Sequence, residues 1–267
     1  MKESTFVKHT TLFLHSVDFV KNSFVFDELD STNATAKELA KKGAQEGTVV
    51  IARTQTHGRG RFDRRWESPE GGVYLSLVLR PQVPLEKTSL LSFLAALAVA
   101  KTIATYGVQA TIKWPNDVRV NGKKIAGILL ESEGGGSTST YVVVGIGMNL
   151  AIDLKQLSAE LQTTSTSLLN EVHQAVDYHK FLQTFFRIFE HFYAIYQEQR
   201  FSNILAEWKT FTDTLGKQVK IQTIAETVQG TAVDIDESGF LLLRTSEGEL
   251  KKILSGDCLY FDELHHA

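Results

Sequence analysis

KWPNDVRVNGKKIAGILLE, residues 113–131, contains two strand-like runs joined by Asn121-Gly122. An Asn-Gly pair at such a junction favours a type I′ turn, because both turn residues need positive φ. A turn that tight returns the chain antiparallel, whereas a parallel neighbour needs a long crossover. The chain is therefore expected to be an α+β protein whose central sheet is mixed or antiparallel, with helices packed on it. In the same stretch Pro115 gives a sharp exit from the strand ATIKW. Asn116 and Asp117 then fall at a strand end, where ligands to nucleotides or cations are often held. Lys123 and Lys124 point to opposite sides of a strand, so only one of them can face a shared site. An ordinary hairpin with a solvated lysine pair fits the same spacing.

Upstream, Phe24–Leu29 reads as a short strand. A helix follows it, capped by Ser31 or Thr32, with Thr35 and Glu38 at capping-box spacing and Gly43 as its terminator. GTVVIARTQT (47–56) is a β-branched strand that runs into an arginine-rich loop. GGVYLSLVLRP (71–81) alternates and reads as a strand with one buried face. Leu85 to Tyr106 is an apolar helix ended by Gly107. Downstream, YVVVGIGMNL (141–150) is another strand, preceded by the flexible, solvated hairpin loop GGGSTST (134–140). A helical region runs from about Asp177 to Thr210, and its Phe and Tyr spacing is that of core packing. From Leu215 onward short strands follow at close spacing with glycine turns, the pattern of a small SH3-like β-barrel. The expected units are 1–212 and 213–267.

The chain has 267 residues, 43% hydrophobic and 22% charged, enough to bury a substantial core. Its single cysteine, Cys258, excludes an internal disulfide framework and fits a reducing compartment. The first residues lack the apolar run of a signal peptide. LLSFLAALAVA (90–100) has about half the length that a bilayer span needs. A cytoplasmic protein without a membrane partner is the expectation. The net charge of −3 argues against a general nucleic-acid partner, since counterion release from a basic face supplies most duplex affinity.

Standard motifs fail. No GxxxxGK[ST], HExxH, CxxC or GxSxG occurs, and the eight histidines lack metal-ligand spacing. Gly145-Ile-Gly147 follows a strand but lacks the third glycine of a dinucleotide fingerprint. The arginine loop QTHGRGRFDRRWES (55–68) carries more information. Glycines let a backbone approach a ligand closely, and arginines add forked donors suited to phosphate and carboxylate. A solvated charged turn is the plain alternative. Asp63 can pair with an arginine or take a left-handed conformation.

STN (31–33), QTHGRGR…RRW (55–66), GGVYLSLVLRP (71–81), KWPND (113–117), KKIAGILLE (123–131) and GIGMN (145–149) occur in the order found in biotin protein ligases, which the chain resembles from about Phe24 to Phe261. The resemblance implies a class II aminoacyl-tRNA-synthetase-like ligase fold with an SH3-like C-terminal barrel. It implies that biotin and ATP form biotinyl-5′-adenylate, with Mg²⁺ on the phosphates. The biotinyl group would then pass to a lysine of a biotin carboxyl carrier protein. Lys124 would contact the carboxylate and α-phosphate, and Arg61, Lys113 and Asp117 complete the implied catalytic group. Ser31, Thr32, Asn33 and Gln55 would meet the ureido ring, while Gly58, Arg59, Gly60, Arg61 and Gly127 would border biotin. Arg59, Arg61, Trp66, Lys113, Asn116, Asp117, Lys124 and Asn149 would serve ATP and the adenylate, with Asp117 the candidate metal ligand. Arg64 and Arg65 anchor the loop's far end.

Two departures from the family stand out. Asp63 replaces a frequent glycine, and a left-handed position would tolerate it. The segment QTTSTSL (162–168) lacks the aromatic residue that stacks on adenine in some members, so the cover of that ring is not legible. Only about twenty residues precede Phe24. This leads to the expectation of a monofunctional ligase without an operator-binding winged helix-turn-helix. Edge strands of the central sheet offer a surface for a homodimer. The competing readings are a lipoate ligase, a biotin- or nucleotide-sensing module, and a nucleic-acid binder that uses the arginine loop.

Overall fold

Alternation along the strands decides which way each side chain of the main sheet faces. The computed structural model describes residues 17–135 and 138–261. Its first sheet has seven strands: β1 (Asn22–Leu29), β2 (Thr48–Gln55), β3 (Val73–Leu79), β4 (Thr111–Lys113), β5 (Asp117–Val120), β6 (Lys123–Gly135) and β7 (Thr138–Met148). Their order across the sheet is β1-β2-β3-β7-β6-β5-β4. Only β1 and β2 run parallel; the other neighbours are antiparallel, so the sheet is mixed as expected. Asn121 and Gly122 both have positive φ, as the type I′ turn between β5 and β6 requires.

One face of this sheet is covered by α2 (Leu90–Ala104), α5 (Tyr178–Gln197) and α6 (Phe201–Phe211). Val49, Ile51, Leu75, Leu77, Val142, Val144 and Ile146 meet those helices in one apolar cluster. The other face is covered only in part. There α1 (Thr32–Lys41) packs Ala36 and Ala40 on Phe26, Val50, Val78 and Val143. The remainder of that face, over β6 and β7, is open to a cavity.

Several local expectations change. Ser31 is the N-cap of α1, and its hydroxyl accepts from Ala34 N at 3.4 Å. Thr35 and Glu38 therefore lie inside the helix and form no capping box. β3 is buried on both faces: α1 packs on one side, and on the other Val73, Leu75, Leu77 and Leu79 join the apolar cluster shared with the covering helices. The long helical region breaks into α5 and α6 near Gln199, whose φ is 58°. Leu85–Ala104, 20 residues, is long and apolar enough by length and composition to match a bilayer span, contrary to the reading of that stretch as too short. It is mostly buried among α5, α6 and the sheet, which explains why it is apolar on all sides. At the GGGSTST turn, β6 and β7 stay paired to Gly135 and Thr138, while residues 136–137 lie outside the described residues.

Two short helices, α3 (Ala159–Thr164) and α4 (Leu168–Val172), follow β7. The second sheet is antiparallel, with β8 (Gln218–Gln222), β9 (Thr227–Ile235), β10 (Leu241–Arg244), β11 (Leu250–Ile253) and β12 (Asp257–Tyr260) in the order β11-β10-β9-β8-β12. This arrangement is consistent with an SH3-like module. It joins the first sheet through Trp114, whose backbone N donates to Thr214 Oγ1 and whose indole N–H donates to Gly239 O.

Candidate active site

β6 and β7 place Gly127, Gly145 and Gly147 on the open face, and Gly127 and Gly147 are direct cross-strand partners. Two adjoining positions without side chains leave a bare floor. A β-carbon at Gly145 would lie 2.0 Å from Asn33 Oδ1, and one at Gly147 would lie 2.5 Å from Trp66 Cε2. Both glycines sit inside β7 and not at a strand-to-helix turn, which removes the dinucleotide reading of this segment.

Above the floor is a cavity of about 530 Å³, a size that holds a small ligand. Ser31, Thr32, Asn33 and Gln55 line one end, and Arg61, Asn116, Asp117, Lys124 and Asn149 line it elsewhere. The first group is a set of interlocked neutral dipoles. Gln55 Oε1 accepts from Thr32 N at 2.8 Å and from Thr32 Oγ1 at 3.2 Å, and Gln55 Nε2 donates to Ser68 Oγ at 2.8 Å. The backbone donor on Thr32 fixes which side of the amide is oxygen. Ser76 Oγ, rising from β3, lies 2.9 Å from Thr32 Oγ1 and 2.6 Å from Asn33 Oδ1.

The arginine loop closes on itself and then reaches outward. Trp66 N donates to Gly58 O at 2.9 Å and Gly60 N donates to Arg64 O at 2.7 Å. At its tip Phe62 and Asp63 have φ of 53° and 57°. Asp63 thus has the left-handed conformation anticipated for it, and Phe62 shares it although bulky residues disfavour it. Arg59 Nη1 donates to Glu131 Oε1 at 3.2 Å. Arg61 Nη1 donates to Asn116 Oδ1 and to Gly256 O, each at 3.2 Å. Arg64 pairs with Asp257, and Arg65 donates to Thr56 O. Burial lowers the Arg61 guanidinium from its ordinary value, while the charges of Asp257 and Asp117 pull it back up.

Lys124 Nζ stands 2.6 Å from Asp117 Oδ1 and 5.3 Å from the centre of the Trp66 ring. Lys123 is exposed; a register shift in the β5–β6 pairing, where Val118 faces Ala126 but Arg119 faces Lys124, breaks strict alternation and brings Lys124 to the face of Gly127. Asn149 Nδ2 donates to Thr166 O at 3.0 Å, which orients its amide at the cavity wall. Trp66 is the aromatic side chain among the lining residues, and its buried indole N–H has no partner.

Two candidate residues lie elsewhere. Lys113 is not among the cavity-lining residues; its ammonium lies 4.2 Å from the centre of the Tyr260 ring, at the junction with the second sheet. Gly58 also lies outside the lining: a β-carbon there would meet Trp66 O at 2.4 Å, so it serves the loop's own closure.

Other residues enter unannounced. Glu131 accepts from Lys37, Asn33 and Arg59 together. Burial alone would raise its carboxyl, but those hydrogen bonds and the Arg59 charge outweigh burial and hold it below its ordinary value. Its signal was the period of two that puts Gly127, Leu129 and Glu131 on one face of β6. Ser68, Ser76 and Asp257 carried no such signal. Among the described residues no group of three His, Cys, Asp or Glu side chains could hold a resident metal. Asp117 is a single carboxylate beside Lys124, one oxygen donor and not a metal-holding group by itself.

Comparison with known proteins adds a lineage. The Biotin/lipoate A/B protein ligase family matches residues 25–149, and the Biotin protein ligase C terminal domain matches residues 214–259. The bifunctional ligase/repressor BirA of Bacillus subtilis is 42% identical over 233 residues, 86% of this chain and 71% of that protein. The biotin:acetyl-CoA-carboxylase ligase of Paracoccus denitrificans is 39% identical, over 82% of this chain and 92% of its own. The structure of a biotin protein ligase from Aquifex aeolicus in complex with biotin and ATP superposes with a TM-score of 0.77 at 29% identity, covering 90% of this chain and 98% of that one.

Proposed function

Because the chain belongs to the biotin protein ligase family, we propose that it activates biotin with ATP to biotinyl-5′-AMP, releasing pyrophosphate, and then transfers the biotinyl group to one lysine of a carboxylase's biotin carrier domain. The observation that carries this reading is the division of one cavity. A fixed neutral corner at Ser31, Thr32 and Gln55 lies across a glycine floor from a cationic corner at Arg61 and Lys124.

Each corner suits one part of the chemistry. A ureido ring has one acceptor and two N–H donors, and it is matched by oriented amide and hydroxyl groups. In the first step a biotin carboxylate oxygen attacks the α-phosphorus, the bond to the bridging oxygen breaks, and pyrophosphate leaves. Two anions must meet, so Lys124 and Arg61 offset their repulsion where charge builds up. Asp117, at 2.6 Å from Lys124 Nζ, holds that ammonium in place and would offer an oxygen to the magnesium ion that accompanies ATP. Trp66 offers a flat face over Gly147 for adenine, in place of the aromatic missing from 162–168. Asn149 presents an oriented amide to its edge. In the second step the carrier lysine's neutral amine attacks the acyl carbon, loses a proton, and AMP leaves. The loop limits water while the acyl phosphate waits.

Incubation with biotin, ATP, Mg²⁺ and an apo carrier domain is expected to add one biotinyl mass to the carrier. Acceptance of lipoate or octanoate in place of biotin would overturn the reading in favour of a lipoate ligase. Lys124→Ala is expected to slow adenylate formation by about 100-fold or more while leaving the circular dichroism unchanged. Near-normal pyrophosphate release by that variant would remove Lys124 from its role.

A further inference from the structure

The second sheet takes part in the cavity wall. Asp257 and Leu259 line it, whereas the intervening Cys258 and the following Tyr260 are buried in the sheet's own core. This is strand alternation at β12, with one face given to each compartment. Gly256 comes just before. A β-carbon there would lie 2.6 Å from Ile221 Cγ2 and 2.9 Å from Gln222 O, so glycine lets the chain run close along β8. Its carbonyl then accepts from Arg61, and the next residue's carboxylate accepts from Arg64. Two arginines of one loop are thus held by two consecutive residues, 195 and 193 positions away in sequence.

The two ends of the pair differ in exposure. The Asp257 side chain is 18% exposed and Arg64 is 65% exposed. The carboxylate is thus set in the protein, and the arginine is the movable member that comes to it. A charge-assisted pair to a largely desolvated carboxylate is stronger than one between two solvated groups.

We propose that Asp257 is a positioning residue for the arginine loop: with the Gly256 carbonyl it fastens Arg64 and Arg61 across the phosphate end of the cavity. Retention of the adenylate rests on this clasp, a consequence that depends on the function proposed above; the clasp itself does not. The N-terminal end of the loop is held separately, by Arg59 on Glu131 of the first sheet. Loss of the Asp257 contact therefore releases Arg64 and loosens the phosphate end, where Arg61 keeps its bonds to Asn116 and Gly256, and leaves the biotin corner in place.

The test uses the full-length chain with Asp257→Asn, Asp257→Glu, Arg64→Ala and the Arg64→Ala/Asp257→Asn double variant. Trypsin cleavage after Arg59 and Arg61, sites that every variant keeps, reads the clasp in the ligand-free protein without reference to activity. Asp257→Asn is expected to speed that cleavage on the order of tenfold, with Asp257→Glu close to wild type and the double variant no faster than Arg64→Ala alone. Wild-type cleavage in Asp257→Asn, or additive effects in the double variant, would overturn the clasp. Circular dichroism and Tm identify a variant that has simply lost its fold, and Asp257→Glu against Arg64→Ala then decides. On the functional side, Asp257→Asn is expected to raise the biotinyl-adenylate dissociation rate and the KM for ATP by a similar factor, with the KM for biotin within about twofold. Equal increases for biotin and ATP would refute positioning at the phosphate end. A wild-type protein that forms no adenylate would refute the proposed function, while the cleavage result would still stand or fall alone.

Discussion

At Gly147 the cavity floor has no space to spare. A β-carbon would come within 2.5 Å of the Trp66 ring, which cannot retreat without leaving Gly127 and the Lys124 ammonium. Overpacking of this kind costs about 1–3 kcal/mol. Gly147→Ala is expected to displace the indole, raise the KM for ATP by about tenfold or more, and shift tryptophan emission. An unchanged KM would show that Trp66 is no platform for the nucleotide. At this scale residue identities were legible where chemistry is stereotyped, as with Lys124 and the loop arginines. They left the placement of Lys113 open, because a lysine beside a site motif carries no mark of the direction its stem takes. Here it runs to Tyr260.

The elements repeat that contrast. β6 was legible as a strand, and Gly127 and Leu129 alternate with buried Ala126 and Ile128, but the register shift that brings Lys124 to the face of Gly127 was not legible. The capping of α1 was half legible. Ser31 was one of two candidates, and the competing capping-box spacing failed because the helix begins a turn earlier. α2 shows what burial on all sides does to an element. Ala95, Ala96 and Ala98 have no solvent exposure and lie between the sheet and the α5–α6 pair. Small residues there set how closely the layers approach. Ala96→Leu is expected to destabilise by about 1–3 kcal/mol and to lower Tm by several degrees, as read by thermal unfolding. A neutral result would mean that the layers can part at no cost.

For the whole molecule the decisive feature is that one apolar cluster continues from the first sheet into the second. Val219, Ile221, Ala232, Leu241 and Tyr260 belong to the same cluster as Leu77, Phe93 and Trp114. Lys87 and Ser89 add hydrogen bonds to Glu237 O and Ser238 O across the same junction. Calorimetry is accordingly expected to show one unfolding transition, with the second sheet melting together with the first. A separate, lower transition for residues of the second sheet would contradict that coupling and would leave the loop without a firm anchor.

The sequence by itself determined what local periodicity and stereotyped chemistry can encode. These are the strands of both sheets, the Asn-Gly turn, the arginine loop, the left-handed tendency at Asp63, and the motif order that marks the family. Only the tertiary structure decided which side chains meet. It placed Glu131 between Asn33, Lys37 and Arg59, moved Lys113 to Tyr260, laid Trp66 over two glycines, and brought Asp257 to Arg64. The physical reason is the length of chain between partners. Pairing across 98 or 193 residues depends on how layers stack and where strands turn back. No repeat of two or 3.6 residues carries that information.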